Sequence, residues 1–186
     1  MDIYTKEEAQ KNKEKLLFEI ESGAVFVYPT DTIYGMGCSA LDSFAVRKIR
    51  QIKKRTDKPF SIIAPNIKWI EDHCIVDSKN KKWLKKLPGK YTFVFKLRDK
   101  FAVAREVCSG TIGIRIPKHW ISDFAKELQV PIITTSVNKN GKEHLTQIKQ
   151  LSKNLAKQID FAIDEGILKG KASTVIDMMS GKVLRK

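Results

Sequence analysis

Short apolar runs and helix-spaced segments follow one another along this chain without a regular alternation, and that irregularity constrains the fold most. Residues 24–28 (AVFVY), 60–64 (FSIIA), 91–97 (YTFVFKL), 111–116 (TIGIRI) and 131–135 (PIITT) are short, rich in β-branched and aromatic side chains, and read as strands. Further short strands are expected at 160–163, 174–178 and 182–185. Residues 5–22 read as a helix, with Thr5 and Glu8 as a capping box, Leu16, Leu17 and Ile20 as its apolar face and Gly23 as its stop. Ala45, Val46, Ile49 and Ile52 share one side of a helix over 43–54, and another helix is expected from about residue 66. Residues 79–87 form a basic helix ending at Pro88-Gly89, and Trp120, Ile121, Phe124 and Leu128 repeat at helix spacing. Leu145, Ile148, Leu151 and Leu155 give one more helix face. Proline and glycine interrupt residues 29–37, which predicts a loop, and Asn140-Gly141 predicts a turn. A doubly wound fold needs strict alternation of strand and helix. This order predicts instead an α/β fold, an open mixed sheet with helices on its faces.

The 186 residues suit one domain spanning 1–186, with no internal repeat or low-complexity linker, and 42% apolar content supplies a core without disulfide staples. The formal net charge of +14 predicts attraction to polyanions: nucleotides, RNA or acidic lipid. No apolar run approaches the roughly 20 residues of a spanning helix, and the charged start lacks the apolar region of a secretory leader. Cys38, Cys74 and Cys108 are odd in number and scattered, as are His73, His119 and His144. This argues against a disulfide framework or a zinc site of several thiolates, and predicts a reducing, cytoplasmic location with no membrane partner.

Five segments could carry chemistry. The stretch YPTDTIYGMG at 28–37 leaves a strand end with hydroxyls at Thr30 and Thr32, a carboxylate at Asp31 and two glycines. It is either a ligand-facing loop or a turn whose Asp and Thr cap the local backbone. Neither a GxxxxGK[ST] nor a GxGxxG motif occurs, so neither standard phosphate cradle is present. The stretch IKKRTDKP at 52–59 places Lys53, Lys54, Arg55 and Lys58 at a helix end. There the cations either answer the macrodipole or converge on a polyphosphate. In ITTSVNKNGKE at 133–143, Ser136 and Asn138 lie two residues apart and share a side of an extended chain. They either close a turn or read a nucleotide edge or phosphoryl oxygen. Arg115, in an apolar strand, needs a sheet edge or a paired anion, and Ser173-Thr174 begins a β-branched strand.

Taken in order, these segments resemble the YrdC/TsaC family, the threonylcarbamoyl-AMP synthases. The family pattern PT(D/E)TxYG(L/M)G matches Pro29–Gly37, and its helix ending in KxR matches Lys53-Lys54-Arg55. The KP element is Lys58-Pro59, the PG-x(2)-TF segment runs from Pro88 to Phe93, and the R-x-P strand is Arg115-Ile116-Pro117. The SxN signature is Ser136-Val137-Asn138, and STV(I/V)D is Ser173–Asp177. The match runs from about residue 13 to the end of the chain.

The resemblance implies a YrdC-like twisted open sheet with a large basic cavity. It also implies synthesis of L-threonylcarbamoyladenylate from L-threonine, bicarbonate or CO2, and ATP, with release of pyrophosphate. That product feeds formation of N6-threonylcarbamoyladenosine at position 37 of tRNAs reading ANN codons, through a downstream threonylcarbamoyl transferase. By resemblance, Lys53 and Arg55 are the catalytic cations. ATP is bound by Lys53, Arg55, Lys58, Ser136 and Asn138, with Mg2+ carried on its phosphates and no protein metal site. Threonine is bound by Thr32, Arg115, Ser136 and Thr174. Two departures are visible: Ile63 stands where longer members carry a His, and the chain ends soon after the STVID strand, which implies the single-domain form. A competing reading is a non-catalytic module for double-stranded RNA or tRNA, supported by the net charge and by lysines at 79, 81, 82, 85, 86 and 90. A carbamoyl-adenylating domain of the hydrogenase-maturation type would need a far longer chain and paired-Cys zinc fingers.

Overall fold

The computed structural model describes residues 1–56, 58–138 and 144–186. Its elements run β1 (Asp2–Thr5), α1 (Lys6–Lys11), α2 (Lys13–Glu21), β2 (Phe26–Tyr28), β3 (Gly35–Gly37), α3 (Ser43–Lys53), β4 (Ser61–Ile63), α4 (Ile67–His73) and α5 (Ser78–Leu84). They continue with β5 (Tyr91–Lys96), β6 (Thr111–Arg115), α6 (Ser122–Leu128), β7 (Ile132–Ser136), a 3-10 turn (Ile148–Gln150), α7 (Lys153–Ala156), β8 (Phe161–Asp164), β9 (Thr174–Asp177) and β10 (Val183–Arg185). The strands join edge to edge in the order β1-β8-β2-β3-β7-β4-β6-β5-β9-β10. Pairing is mixed: β4 and β6 are parallel, as are β5 and β9, while β7 runs antiparallel to both β3 and β4. This is the twisted open mixed sheet expected from the irregular alternation. No helix among the described residues is long and apolar enough to cross a membrane.

Alternation along the strands divides the apolar residues between two faces. Val25, Val27, Ile62, Phe93, Ile112, Ile114, Ile133 and Ile176 pack on one side, against Ala45, Val46 and Ile49 of α3, Ile70 of α4 and Leu84 of α5. Phe26, Tyr28, Ile63 and Ile132 face the other side, against Leu16 and Ile20 of α2 and Phe124 and Ala125 of α6. On this second face the helical cover meets β8, β2 and β7. The positions that follow the same alternation farther along are Ser61, Thr92, Arg115 and Val175, and they line a cavity instead.

Four local expectations are corrected. Residues 2–5 form an edge strand beside β8 before the helix begins at the Thr5–Glu8 capping box. The helix then divides at Asn12, whose side-chain amide donates to the Glu8 carbonyl at 2.8 Å and competes with the backbone ladder. The glycine-rich 29–37 stretch ends in strand β3. The Tyr28 ring lies across this strand to donate to the Ile133 carbonyl at 2.9 Å, and a Cβ on Gly37 would come within 2.1 Å of that same oxygen. Glycine here serves close approach rather than chain reversal. The helix expected through Leu145–Leu155 is a 3-10 turn followed by one short helix capped by Ser152. The Asn140-Gly141 turn lies outside the described residues.

Candidate active site

The cavity, about 260 Å³, opens where the second face of the sheet loses its helices. Its floor is hydroxyl-rich: Ser61 of β4, Thr92 of β5 and Thr134 and Ser136 of β7, with Thr30 from the β2–β3 loop. Gly113 leaves room for this floor, since a Cβ there would stand 2.4 Å from the Ser61 hydroxyl. Three guanidinium groups, those of Arg55, Arg115 and Arg185, line it, and no carboxylate does among the described residues.

Arg115 is the deepest of these cations, 5% exposed at the end of β6. The loop at 28–37 exists largely to hold it. Asp31 Oδ1 accepts from Arg115 Nη2 while its other oxygen caps the Lys118 amide, and Thr32 Oγ1 accepts from Nη1 at 3.2 Å. Thr30 braces the turn from within: its hydroxyl donates to the Ile33 carbonyl at 2.7 Å and accepts from the Thr32 and Ile33 amides. The capping alternative for this loop therefore holds, with Thr30 and Asp31 each meeting backbone groups, while Thr30 and Ile33–Gly35 also line the cavity. Burial pulls Arg115 below its ordinary affinity for a proton, with Asp31 opposing; an arginine stays charged nonetheless. Its Nε, buried, has no hydrogen-bond partner among the described residues. A buried donor left unpaired costs about 1–3 kcal/mol, so this N–H is available to an acceptor entering the cavity, from water or from a ligand.

Arg55 follows α3, which ends at Lys54 in the left-handed conformation (φ 47°). Its Nη2 donates to the Pro59 carbonyl at 2.7 Å, its guanidinium lies 5.1 Å from the Phe60 ring centre, and its buried Nε also has no partner among the described residues. Burial and the neighbouring Arg50 lower its pKa. Arg185, from edge strand β10, reaches back to the Ser173 carbonyl with Nε and Nη2. Ser173 itself donates to or accepts from Thr92 at 2.7 Å.

Lys53 does not line the cavity. Its Nζ donates to the carbonyls of Ser136 and Asn138 and to Asn138 Oδ1, each at 2.7 Å, and it is 5% exposed. Burial, aided by Arg55, lowers its pKa from 10.5 to about 8. The Ser136 hydroxyl donates to Asn138 Oδ1 at 2.7 Å. Ser136 faces the arginine cavity, while Asn138 faces a second hollow of about 980 Å³ lined also by Gln51, Ile52, Thr146 and Gln150. One turn thus separates two compartments.

The remaining expected residues lie around this centre. Thr32 is buried behind Arg115, Thr174 follows the lining Ser173 without lining the cavity itself, and Lys58 is exposed. Ile63 packs beside Tyr28 and Phe124 in the apolar core, so no polar group enters from that position. Missed from sequence were Ser61, Thr92, Thr134 and Arg185. Hydroxyls at alternate positions of three strands were the available signal for the first three. Also missed was the segment between β8 and β9. Glu165 is fixed there by His119 and Trp120, and Gly170 passes so close over the loop that a Cβ would meet the Thr32 carbonyl at 1.9 Å. Its Ala172 and Ser173 wall the cavity. Among the described residues no group of three His, Cys, Asp or Glu could hold a metal ion.

Comparison with known proteins agrees with this architecture. Residues 19–186 match the Sua5/YciO/YrdC family model, described as telomere recombination. A Methanocaldococcus jannaschii protein named "Putative threonylcarbamoyl-AMP synthase" is 38% identical over 182 residues, covering 96% of this chain and 86% of its own. The crystal structure of E. coli YciO superposes with a TM-score of 0.88 at 27% identity, covering 100% of this chain and 96% of its own. P. abyssi Sua5 complexed with L-threonine gives a TM-score of 0.83 at 28% identity and covers 96% of this chain, which spans 54% of that longer protein. The chain belongs to the Sua5/YciO/YrdC family.

Proposed function

We propose that, as a member of this family, the chain is an L-threonylcarbamoyladenylate synthase. The observation that carries the proposal is the pairing of two buried arginine N–H groups, on Arg55 and Arg115, that have no partner among the described residues, in a cavity lined by no carboxylate among those residues. Such a site suits an assembly of anions and is unsuited to a cationic ligand. The relatives named threonylcarbamoyl-AMP synthase, and the threonine complex of P. abyssi Sua5, support the choice of substrate.

The reaction requires the threonine amine to add to CO2 with loss of a proton. A carbamate oxygen then forms a bond to the α-phosphorus, and the bond from that phosphorus to pyrophosphate breaks. Both partners in the bond-forming step, the N-carboxylated threonine and ATP, are anionic, so catalysis consists of positioning and of offsetting repulsion. Arg115, oriented by Asp31 and Thr32, takes a carboxylate of N-carboxythreonine. Arg55 and Arg185 neutralise phosphate oxygens, with Lys58 at the rim. Ser136 and Asn138, at the turn between the two hollows, contact the nucleotide. No side chain acts as a nucleophile. Mg2+ accompanies ATP, and the product is passed to a transferase acting on tRNA in the cytoplasm. Pyrophosphate release with ATP and bicarbonate, measured with threonine and with alanine, tests the proposal. Threonine stimulates release if it is right, and the two amino acids are equivalent if it is wrong.

A further inference from the structure

We infer that Lys53 is a positioning residue of this site: its ammonium group locks the Ser136–Asn138 turn and touches no phosphate itself. The inference rests on the nucleotidyl-transfer reading above for its kinetic consequence, but its geometric basis is independent of it.

An ammonium group has three N–H donors and no acceptor. In Lys53 all three are engaged at 2.7 Å, two by backbone carbonyls and one by an amide oxygen, within a single three-residue segment. No donor is left for a phosphate, and the group is buried beneath the segment rather than beside the cavity. Asn138 Oδ1 accepts from both Lys53 and the Ser136 hydroxyl. This fixes the amide the other way round from a free rotor, with its NH2 turned from Lys53. The same contact fixes the Ser136 hydroxyl, whose proton is committed to Asn138. A single cation at the end of α3 thereby sets the placement of one residue facing each hollow. Polar groups that orient a reacting ligand need placement to within roughly half an ångström, so a turn that shifts by more costs rate without any lost ligand contact.

The alternative, a direct phosphate contact, differs in what charge alone can do. Lys53→Arg keeps the charge, but its planar fork cannot converge three donors on these acceptors. The test uses Lys53→Arg and Lys53→Met, alone and in a Ser136→Ala/Asn138→Ala background, read by affinity for a non-hydrolysable ATP analogue and by kcat/KM. Positioning predicts that both single variants lose at least about tenfold, and that the same changes cost less than about threefold once Ser136 and Asn138 are truncated. Wild-type behaviour of Lys53→Arg, or losses that multiply fully in the truncated background, would overturn it. Hydrogen exchange supplies a readout that needs no turnover. Amides of residues 132–138 exchange faster in Lys53→Arg than in wild type, while those of β5 do not; unchanged exchange at 132–138 contradicts the inference. A wild-type chain with no threonine-dependent pyrophosphate release would defeat the proposed reaction, yet leave the exchange result to decide the role of Lys53.

Discussion

Asp31 accepts from the Arg115 guanidinium across the sheet, both side chains almost wholly enclosed (7% and 6% exposed), and so aims a cation that has a further N–H unpartnered. Removing one member of a buried pair strands the other charge, at a cost of about 3–5 kcal/mol. Asp31→Ala is therefore expected to lower the urea midpoint and raise the KM for threonine. Arg115→Met, which removes the stranded charge, is expected to recover stability in the Asp31→Ala background without recovering the KM. Urea unfolding and threonine titrations of the single and double variants check this.

Arg55 lines the cavity beside the Phe60 ring, whereas Lys58 is exposed. A cation held in a site of low dielectric stabilises developing charge more than one screened by water. Arg55→Ala is expected to reduce kcat/KM by at least about tenfold, and Lys58→Ala by a smaller factor that shrinks further as salt is added. Equal losses in both, at every salt concentration, would place the phosphates outside the arginine cavity.

Lys53 gives opposite pH trends in stability and activity. The folded chain releases this proton at about pH 8, because burial and Arg55 disfavour the ammonium, and an ordinary lysine keeps it to 10.5. Between those values the unfolded chain binds more protons than the folded one, so this residue's contribution to stability rises with pH. The neutral amine, however, has two donors for three acceptors, and the turn loosens. The wild-type urea midpoint is expected to gain on that of Lys53→Met from pH 7 to 10, while wild-type kcat/KM falls above about pH 8. A stability difference that stays constant with pH contradicts the assignment.

Gly170 and Gly37 test close approach at different depths. A Cβ on Gly170 meets the Thr32 carbonyl at 1.9 Å, and one on Gly37 meets the Ile133 carbonyl at 2.1 Å. Gly170 lies in a connecting segment outside the sheet, so Gly170→Ala is expected to raise the threonine KM with little loss of stability. Gly37 lies in a central strand, so Gly37→Ala is expected to lower the thermal midpoint by several degrees, the scale of a change exceeding about 1 kcal/mol. Thermal melts and threonine titrations separate the two.

Arg115, Ser136 and Asn138 could be read in the sequence because each is a polar residue interrupting an apolar strand or closing one. The mixed sheet was legible from the irregular order of strands and helices. Strand β3 was not, since Gly35–Gly37 carries no strand propensity and pairs because Tyr28 needs the space above it. The role of Lys53 was hidden as well. Its charge run is visible, but the carbonyls that absorb it lie 83 and 85 residues away. Arg185 enters the cavity only because β10 folds back along β9, a long-range pairing that no local pattern announces.

The most direct measurement is product analysis after incubation with ATP, threonine and 13C-bicarbonate. The account predicts threonylcarbamoyl-AMP carrying 13C in place of 12C at its carbamoyl carbon, formed by the wild-type chain and strongly diminished in Arg55→Ala. An adenylate that carries no label, or no adenylate at all from a folded chain, contradicts it.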